Sequence, residues 1–389
     1  MKRLFTAVSL ICLGICLEAK VVQLTPPTLN SETICEQIVC TRPMREGKFN
    51  ISTESFGNKT LVNCYGMGGS GWTTLFGSVG KAIELFEQEN KDKSIPIRIV
   101  GSGCMGLTSA IELSQRGYNI AGITTKSLYD MPSWRAAGYF ALVSVKTSPE
   151  EQANLDKIGM DTFLTYQQID QGMHSYIAKE AVRFIPVYCS ENTDNGLENL
   201  EEMGLIPSHE EVTLDFGNGV THPNYHAYMT YFLDTTSLMQ QLTREVERLQ
   251  IPIELKEIQS FDELQEEIIF NCTGMGAREL NGDSKMIPVR GHLIALNEKS
   301  GIQHMDYMIY TTVTQDDREE YIYMFPKTIS ITPDHIQGVP CRSVLGGTFI
   351  PNVDQLSLKK QEELDIREFQ QMLDRNSLFF TGELFQSTN

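Results

Sequence analysis

The sequence is poor in positive charge. Its 32 lysines and arginines face 50 aspartates and glutamates, a formal net charge of −18. Such a chain repels polyanions, which argues against nucleic acid or an anionic membrane as its main partner. Internal repeats and low-complexity tracts are missing, and no histidine or cysteine spacing suits a metal. Nor does any apolar run reach the roughly 20 residues that span a bilayer. The longest, residues 4–17, follows Lys2-Arg3 and ends in Leu17-Glu18-Ala19. A basic start, an apolar centre and a small residue at the cut describe an export signal. Residues 1–19 are therefore expected to be a signal peptide, and the mature protein secreted or periplasmic with no membrane span. An uncleaved anchor or an ordinary N-terminal helix are the other readings. An even set of cysteines is missing too. Beyond Cys12 and Cys16 in the leader stand Cys35, Cys40, Cys64, Cys104, Cys189, Cys272 and Cys341, so at least one thiol stays free unless chains cross-link. Cys35 and Cys40 are candidates to pair after export; most of the rest read as small core residues.

What is present is organised around residues 97–110, I-R-I-V-G-S-G-C-M-G-L-T-S-A. The β-branched run Ile97, Ile99, Val100 meets Gly101-Ser102-Gly103, and Gly106 falls in the helical pattern that follows. G-x-G-x-x-G between strand and helix lets a pyrophosphate rest on a helix N-terminus. The first glycine turns the chain, the second admits the ligand, and the third lets helix pack on strand. The spacing predicts a bound dinucleotide, FAD or NAD, against the alternative of a tight turn that binds nothing. A second glycine-rich turn, 66–71, stands upstream between a strand at 60–65 and a helix bearing Leu75, Phe76, Val79, Ile83 and Phe86. Both turns need positive φ or close backbone approach, so both are expected to face one ligand. An acidic residue about 20 positions past the glycines usually holds the ribose. Thr124-Thr125-Lys126 stands there instead, which counts against a standard NAD site.

With 389 residues the chain has room for two domains. Its patterning predicts strands at 118–123, 139–145, 182–188, 212–216, 251–255, 268–273, 293–296, 307–311, 321–325 and 343–347. Helices are expected over 150–169 and 358–373, and a hairpin about Gly217-Asn218-Gly219. Asp234 is placed to cap a helix with Leu238, Met239, Leu242, Val246 and Leu249 on one face.

Several stretches together resemble the D-amino-acid oxidase family of FAD-dependent oxidoreductases. They are residues 97–110, Ala136-Ala137-Gly138, I-I-F-N-C-T-G at 268–274, P-V-R-G-H at 288–292, the aromatic strand at 321–325 and Leu345-Gly346-Gly347. The family's closing elements are an R-P-x-R segment and a Y-G-x-G-G-x-G-x-T turn with its helix. Here they stand at the front, as Arg42-Pro43-Met44-Arg45 and residues 65–73. The sequence therefore resembles a circular permutant joined through residues 90–95. Termini that lie close at a surface make such a cut tolerable. The likeness covers about 35–374, with 146–221 matching poorly.

The resemblance implies an α/β fold: a Rossmann-like FAD-binding domain in permuted order and a second, mixed-sheet α+β substrate domain. Residues 35–145 and 235–290 would form the first, 146–234 and 291–350 the second, and 351–389 a C-terminal helix and tail. It also implies oxidative deamination of D-amino acids, with a small amino acid as substrate and oxygen as acceptor. Hydride passes from Cα to FAD, the imino acid hydrolyses to a 2-oxo acid and ammonia, and reoxidation releases hydrogen peroxide. Neither a Ser-His-Asp triad nor a metal is required, and none is read.

Arg45 matches the family's carboxylate clamp, a task suited to a planar guanidinium, with Arg42 as its neighbour. Tyr323 matches the tyrosine that helps hold the carboxylate, and the Gly69 carbonyl the group that meets the substrate amine. Gly68, Gly71 and Thr73 are expected along the flavin, Thr73 reaching a ring carbonyl. Gly101, Gly103 and Gly106 would hold the pyrophosphate, and Ala136, Ala137 and Gly138 would flank the isoalloxazine. Lys126 stands in place of a basic partner of the cofactor. A surface role for the arginines and a core role for Tyr323 are the plain alternatives, and Arg290 reads equally as structural or cofactor-facing. A glycine- or sarcosine-type oxidase, a dehydrogenase using another acceptor, and a non-catalytic binding protein on the same fold are the rival readings. Composition does not set the oligomeric state.

Overall fold

The computed structural model describes residues 19–142, 149–301, 305–315, 318–327 and 343–386. The expected leader, apart from Ala19, lies outside them.

Strands covered on both faces read as apolar runs, and such runs meet in one sheet. Ile97–Val100 lies at its centre, with Ile120–Thr125 parallel on one side and Ile268–Asn271 parallel on the other. Ile253–Leu255 extends the first edge. Lys59–Tyr65 lies parallel beyond Ile268–Asn271 and is closed off by antiparallel Asn50–Phe56, six strands in all. Helices Leu75–Glu89 and Cys104–Gln115 each follow a glycine turn, packing through Leu75, Val79, Ile83 and Phe86 and through Leu107, Ala110 and Ile111. Each such fully buried large side chain contributes about 2 kcal/mol. Thr235–Arg248 packs beside Cys104–Gln115 and is capped by Asp234, which accepts the Ser237 N–H at 3.1 Å.

The second sheet has ten strands in mixed order. At its middle Val182–Ser190 joins Met308–Gln315, followed by Arg318–Phe325, Ser343–Gly346 and Met286–Leu296. Helix Leu358–Thr381 closes one part of its core with Phe369, Met372, Leu373, Phe379 and Phe380.

Four expectations change. Ile34–Arg45, assigned to the first FAD-domain segment, pairs along its length with Met286–Leu296 in the larger sheet. Residues 139–142 are not a strand: Tyr139 makes one bridge, to Phe232, and the remainder of 139–145 lies outside the described residues. Cys35 and Cys40 are free thiols on one extended strand; a strand advances about 3.3 Å per residue, so they cannot meet. The last helix continues past 373 because the polar residues there are buried and bonded, Arg375 to the Tyr321 and Gly347 carbonyls and Asn376 to that of Met372.

Since Lys59–Tyr65 and Leu75–Glu89 complete the sheet centred on Ile97–Val100, neither residues 20–92 nor 93–389 should unfold cooperatively alone. Co-expressed, the two pieces should copurify and give one thermal transition; a stable isolated 20–92 fragment would contradict this.

Candidate cofactor and substrate cleft

All the parallel strands of the smaller sheet end on one side, where their turns line a cleft of about 1460 Å³. An ordinary small-ligand site measures roughly 300–1,000 Å³, so this one has room for a dinucleotide together with a substrate. One wall is the two glycine turns. Facing them stand Tyr139, Tyr310, Tyr321, Tyr323 and Phe325, with Tyr139 stacked on Phe325 and Tyr323 on the same ring, 5.7 and 5.1 Å between centroids.

At Gly101 φ is +105°, and a Cβ would lie 2.4 Å from the Cys272 carbonyl; at Gly106 it would lie 1.9 Å from the Gly101 carbonyl. Only glycine fits either place. The N–H groups of Ser102 and Gly103 have no protein acceptor among the described residues, which suits phosphate oxygens beside a helix N-terminus. The next N–H, of Cys104, is already taken by Ser133 Oγ at 3.0 Å. Thr125 does not replace the missing ribose carboxylate. Its hydroxyl donates to the Ser127 carbonyl at 2.8 Å and accepts from Ser102 Oγ at 2.9 Å. A carboxylate does line this end, from the adjacent strand: Glu257 follows Ile253–Leu255 and lies 3.8 Å from exposed Lys126. No spacing from the glycines marks it.

Ala136, Ala137 and Gly138 line the cleft. Gly138 has φ +92°, and a Cβ there would strike the Leu233 carbonyl at 1.9 Å. Behind this segment lies Lys327, which sequence reasoning missed because no motif surrounds it. Its side chain is wholly buried, and Nζ donates to the Trp134 and Ala136 carbonyls, both at 2.6 Å. Burial pulls its pKa down to about 7. Gly68, Gly69, Gly71 and Thr73 also line the cleft. Thr73 differs from expectation in one respect: its hydroxyl donates to the Ser70 carbonyl at 3.1 Å, completing the turn before the helix rather than facing a ring carbonyl. Cys64, Cys104 and Cys272 are lining residues too. Burial pushes the Cys104 thiol up to about 11, so it is not a nucleophile.

The two arginines separate. Three positions apart on an extended strand, they project to opposite faces. Arg42 enters the cleft, donating Nη1 to the Thr348 carbonyl at 2.9 Å, 6.0 Å from the Phe349 ring and beside the Tyr323 hydroxyl. A Cβ at Gly291 would lie 2.5 Å from Nη1, so that glycine makes the slot. Among the described residues Arg42 has no carboxylate partner. Tyr323 lies over Gly346-Gly347, and burial raises its pKa against the opposing effect of Arg42. It is therefore a neutral hydroxyl.

Arg45, expected as the clamp, does not line the cleft. Its stem packs on Gly66, Nε binds Asp283 at 2.7 Å and Nη1 the Lys48 carbonyl at 2.9 Å. Asp283 also accepts from Tyr65 Oη at 2.8 Å. Burial works to raise the Asp283 pKa, but the hydrogen bonds from Arg45, Tyr65 and the Lys285 backbone outweigh it and hold the carboxyl below its ordinary value.

Glycine turns on a parallel sheet, faced across a deep cleft by a mixed sheet, define a dinucleotide-dependent enzyme. The chain belongs to the family described as FAD dependent oxidoreductase, whose model matches residues 97–383, and it uses FAD. Solved structures similar to it include iminodiacetate oxidase from Chelativorans sp. BNC1 (10% identity, 74% of this chain and 79% of that one, TM-score 0.47). Another is the deglycating enzyme fructosamine oxidase from Aspergillus fumigatus (16%, 72% and 73%, 0.42). A third is L-amino acid deaminase from Proteus vulgaris (13%, 42% and 40%, 0.28), of whose length this chain spans two fifths. Among the described residues no helix is long and apolar enough to cross a membrane, and no cluster of side chains suits a metal ion.

Two outcomes follow. Lys327 has a folded value of about 7 against 10.5 unfolded, so the unfolded chain binds more protons between those limits and stability rises with pH there. Urea denaturation should show a gain of about 2 kcal/mol from pH 7 to 9 that Lys327→Met lacks. Asp283→Asn, which breaks a mostly buried pair, should cost about 3 kcal/mol in the same assay at pH 7 while FAD stays bound.

Proposed function

We propose that this FAD-dependent oxidoreductase oxidises small amino acids bearing a free carboxylate, D-amino acids first among them, and passes the electrons to oxygen. The observation that carries this reading is Arg42, a guanidinium with no carboxylate partner among the described residues, beside a neutral tyrosine and next to the glycine turn at 66–69. When bound, FAD supplies a two-electron acceptor that takes hydride and is reoxidised by oxygen. The chain supplies orientation. Arg42 and Tyr323 hold the carboxylate, Arg42 replacing Arg45 in that role, and the Gly69 carbonyl accepts from the amine. The ring wall of Tyr139, Tyr310 and Phe325 keeps water from Cα. Asp194, Glu198 and Glu319 also line the cleft, which disfavours substrates with an anionic side chain. Gly101, Gly103 and Gly106 hold the pyrophosphate, and Ala136, Ala137 and Gly138 flank the ring. The chain order is read as a circular permutation, supported by the strand and helix that precede residue 97 yet complete its sheet.

Purified protein should be yellow, and anaerobic D-amino acids should bleach the flavin, with colour returning in air. Arg42→Ala should lower kcat/KM about 100-fold, chiefly through KM, as expected for loss of a charge-assisted contact of about 3 kcal/mol. Arg45→Ala should lower Tm and leave KM within about twofold. Flavin that no D-amino acid bleaches would overturn the substrate class; a KM that Arg42→Ala leaves unchanged would overturn the clamp.

A further inference from the structure

Thr348 stands between Arg42 and a buried histidine. Its carbonyl takes Arg42 Nη1 at 2.9 Å, while its hydroxyl lies 3.1 Å from the backbone N of His292 and 2.6 Å from His292 Nδ1. On the other side of the ring, Nε2 lies 2.8 Å from Asp365 Oδ1. The second carboxylate oxygen of Asp365 binds Arg290, which also donates to Gln361. His292 is wholly buried and meets Phe369 edge-on at 5.0 Å.

The proton positions follow by elimination. An ionised carboxylate only accepts, so Nε2 carries the N–H. Burial lowers the His292 pKa more than Asp365 raises it, and the ring is neutral. Nδ1 is therefore an acceptor. The Thr348 hydroxyl donates to Nδ1 and accepts the His292 backbone N–H, which leaves one arrangement of protons for the whole chain of bonds.

This chain crosses the molecule. Asp365 lies on helix Leu358–Thr381, His292 and Arg290 on strand Met286–Leu296, and Thr348 on the loop after Ser343–Gly346. Along Met286–Leu296 the pairing stops at Leu293–Gly346 and resumes at Arg290–Ile350, leaving residues 347–349 outside that ladder; on the other side the Gly347 N–H still reaches the Tyr321 carbonyl at 3.3 Å. Gly347 is thus held by Tyr321 and by Arg375, which donates to its carbonyl at 2.9 Å, while the Thr348 side chain is held by His292.

We propose that Asp365–His292–Thr348 is a positioning device for Arg42: it fixes the carbonyl that aims the guanidinium into the cleft and thereby sets the carboxylate affinity of the site. His292 and Asp365 act through Thr348 and touch no substrate. The inference rests on the reading of Arg42 as the carboxylate clamp.

The test uses holoprotein titrated with benzoate, a carboxylate on a flat ring, followed by perturbation of the flavin absorbance, with steady-state kinetics beside it. Thr348→Val removes the hydroxyl at nearly constant shape. It should weaken benzoate about tenfold and raise KM to match, with kcat within about twofold and FAD retained. Thr348→Ser should restore wild-type binding. Should Thr348→Val fail to fold, Asp365→Leu, remote from the cleft, reports the same effect, and Asp365→Asn, whose carbonyl still accepts, should not show it. Arg42→Ala is the control for the underlying reading. If it leaves benzoate binding unchanged, the clamp assignment fails. If it weakens binding while Thr348→Val and Asp365→Leu do not, the clamp stands and the positioning chain is overturned. Equal losses in Thr348→Val and Thr348→Ser would also overturn it, since the hydroxyl would then play no part.

Discussion

The architecture depends on one joint. Strand Ile34–Arg45 pairs along Met286–Leu296 in the large sheet, and at its far end it also binds the first glycine turn of the small one. The Pro43 carbonyl accepts the Gly68 N–H at 3.0 Å, and Met44 bridges Met67. A backbone hydrogen bond of this kind nets only about 1 kcal/mol, but its geometric effect is large. It fixes the distance between the glycine turns and the wall of rings facing them. A cleft assembled from two sheets has a defined width only if something crosses it, and this strand does.

The same strand explains why the two arginines have different fates. On an extended chain residues 42 and 45 cannot share a face. One must enter the cleft and the other must leave it. Arg45 leaves, and its charge is neutralised by Asp283 in a mostly buried pair. That pair belongs to the joint, since Asp283 also holds Tyr65 at the end of a small-sheet strand. Arg42 enters and keeps its charge without a carboxylate among the described residues. A cation held half-buried by one carbonyl, one hydroxyl and a ring is poorly compensated, and an anionic ligand relieves that. The two arginines are thus told apart by what each already holds: Arg45 a carboxylate, Arg42 a carbonyl.

How much of this was legible in the chain follows from the range of the interactions. Turn chemistry is local: Gly101, Gly106 and Gly138 are needed where short contacts forbid a Cβ, and motif spacing found all three. Helix starts are local too, so the cap at Asp234 was readable. The different surroundings of the two arginines were not legible because a motif gives spacing, whereas the face each residue takes depends on which strand lies beside it. Glu257, Lys327 and His292 were illegible for a related reason. Each acquires its surroundings from a segment distant in sequence: Glu257 from Lys126, Lys327 from Trp134 and Ala136, and His292 from Asp365. Over 139–142 the supposed strand gives way to core packing, with Phe140 set edge-on to Phe163.

The order of the elements along the chain bears on the same point. What positions the cleft is a set of pairings: 59–65 on 268–271, 97–100 on 120–125, 34–45 on 286–296. None of them requires the connection that happens to follow it. Loop closure costs grow only with the logarithm of loop length, so the same set of pairings tolerates more than one order of connection. The glycine turns and the ring wall would lose their alignment if any one of these ladders slipped by a single residue, because that turns every side chain of the strand to the other face. Thr41 or Pro43 would then stand where Arg42 does, and the cleft would lose that guanidinium. Register, and not chain order, is the property on which the site depends.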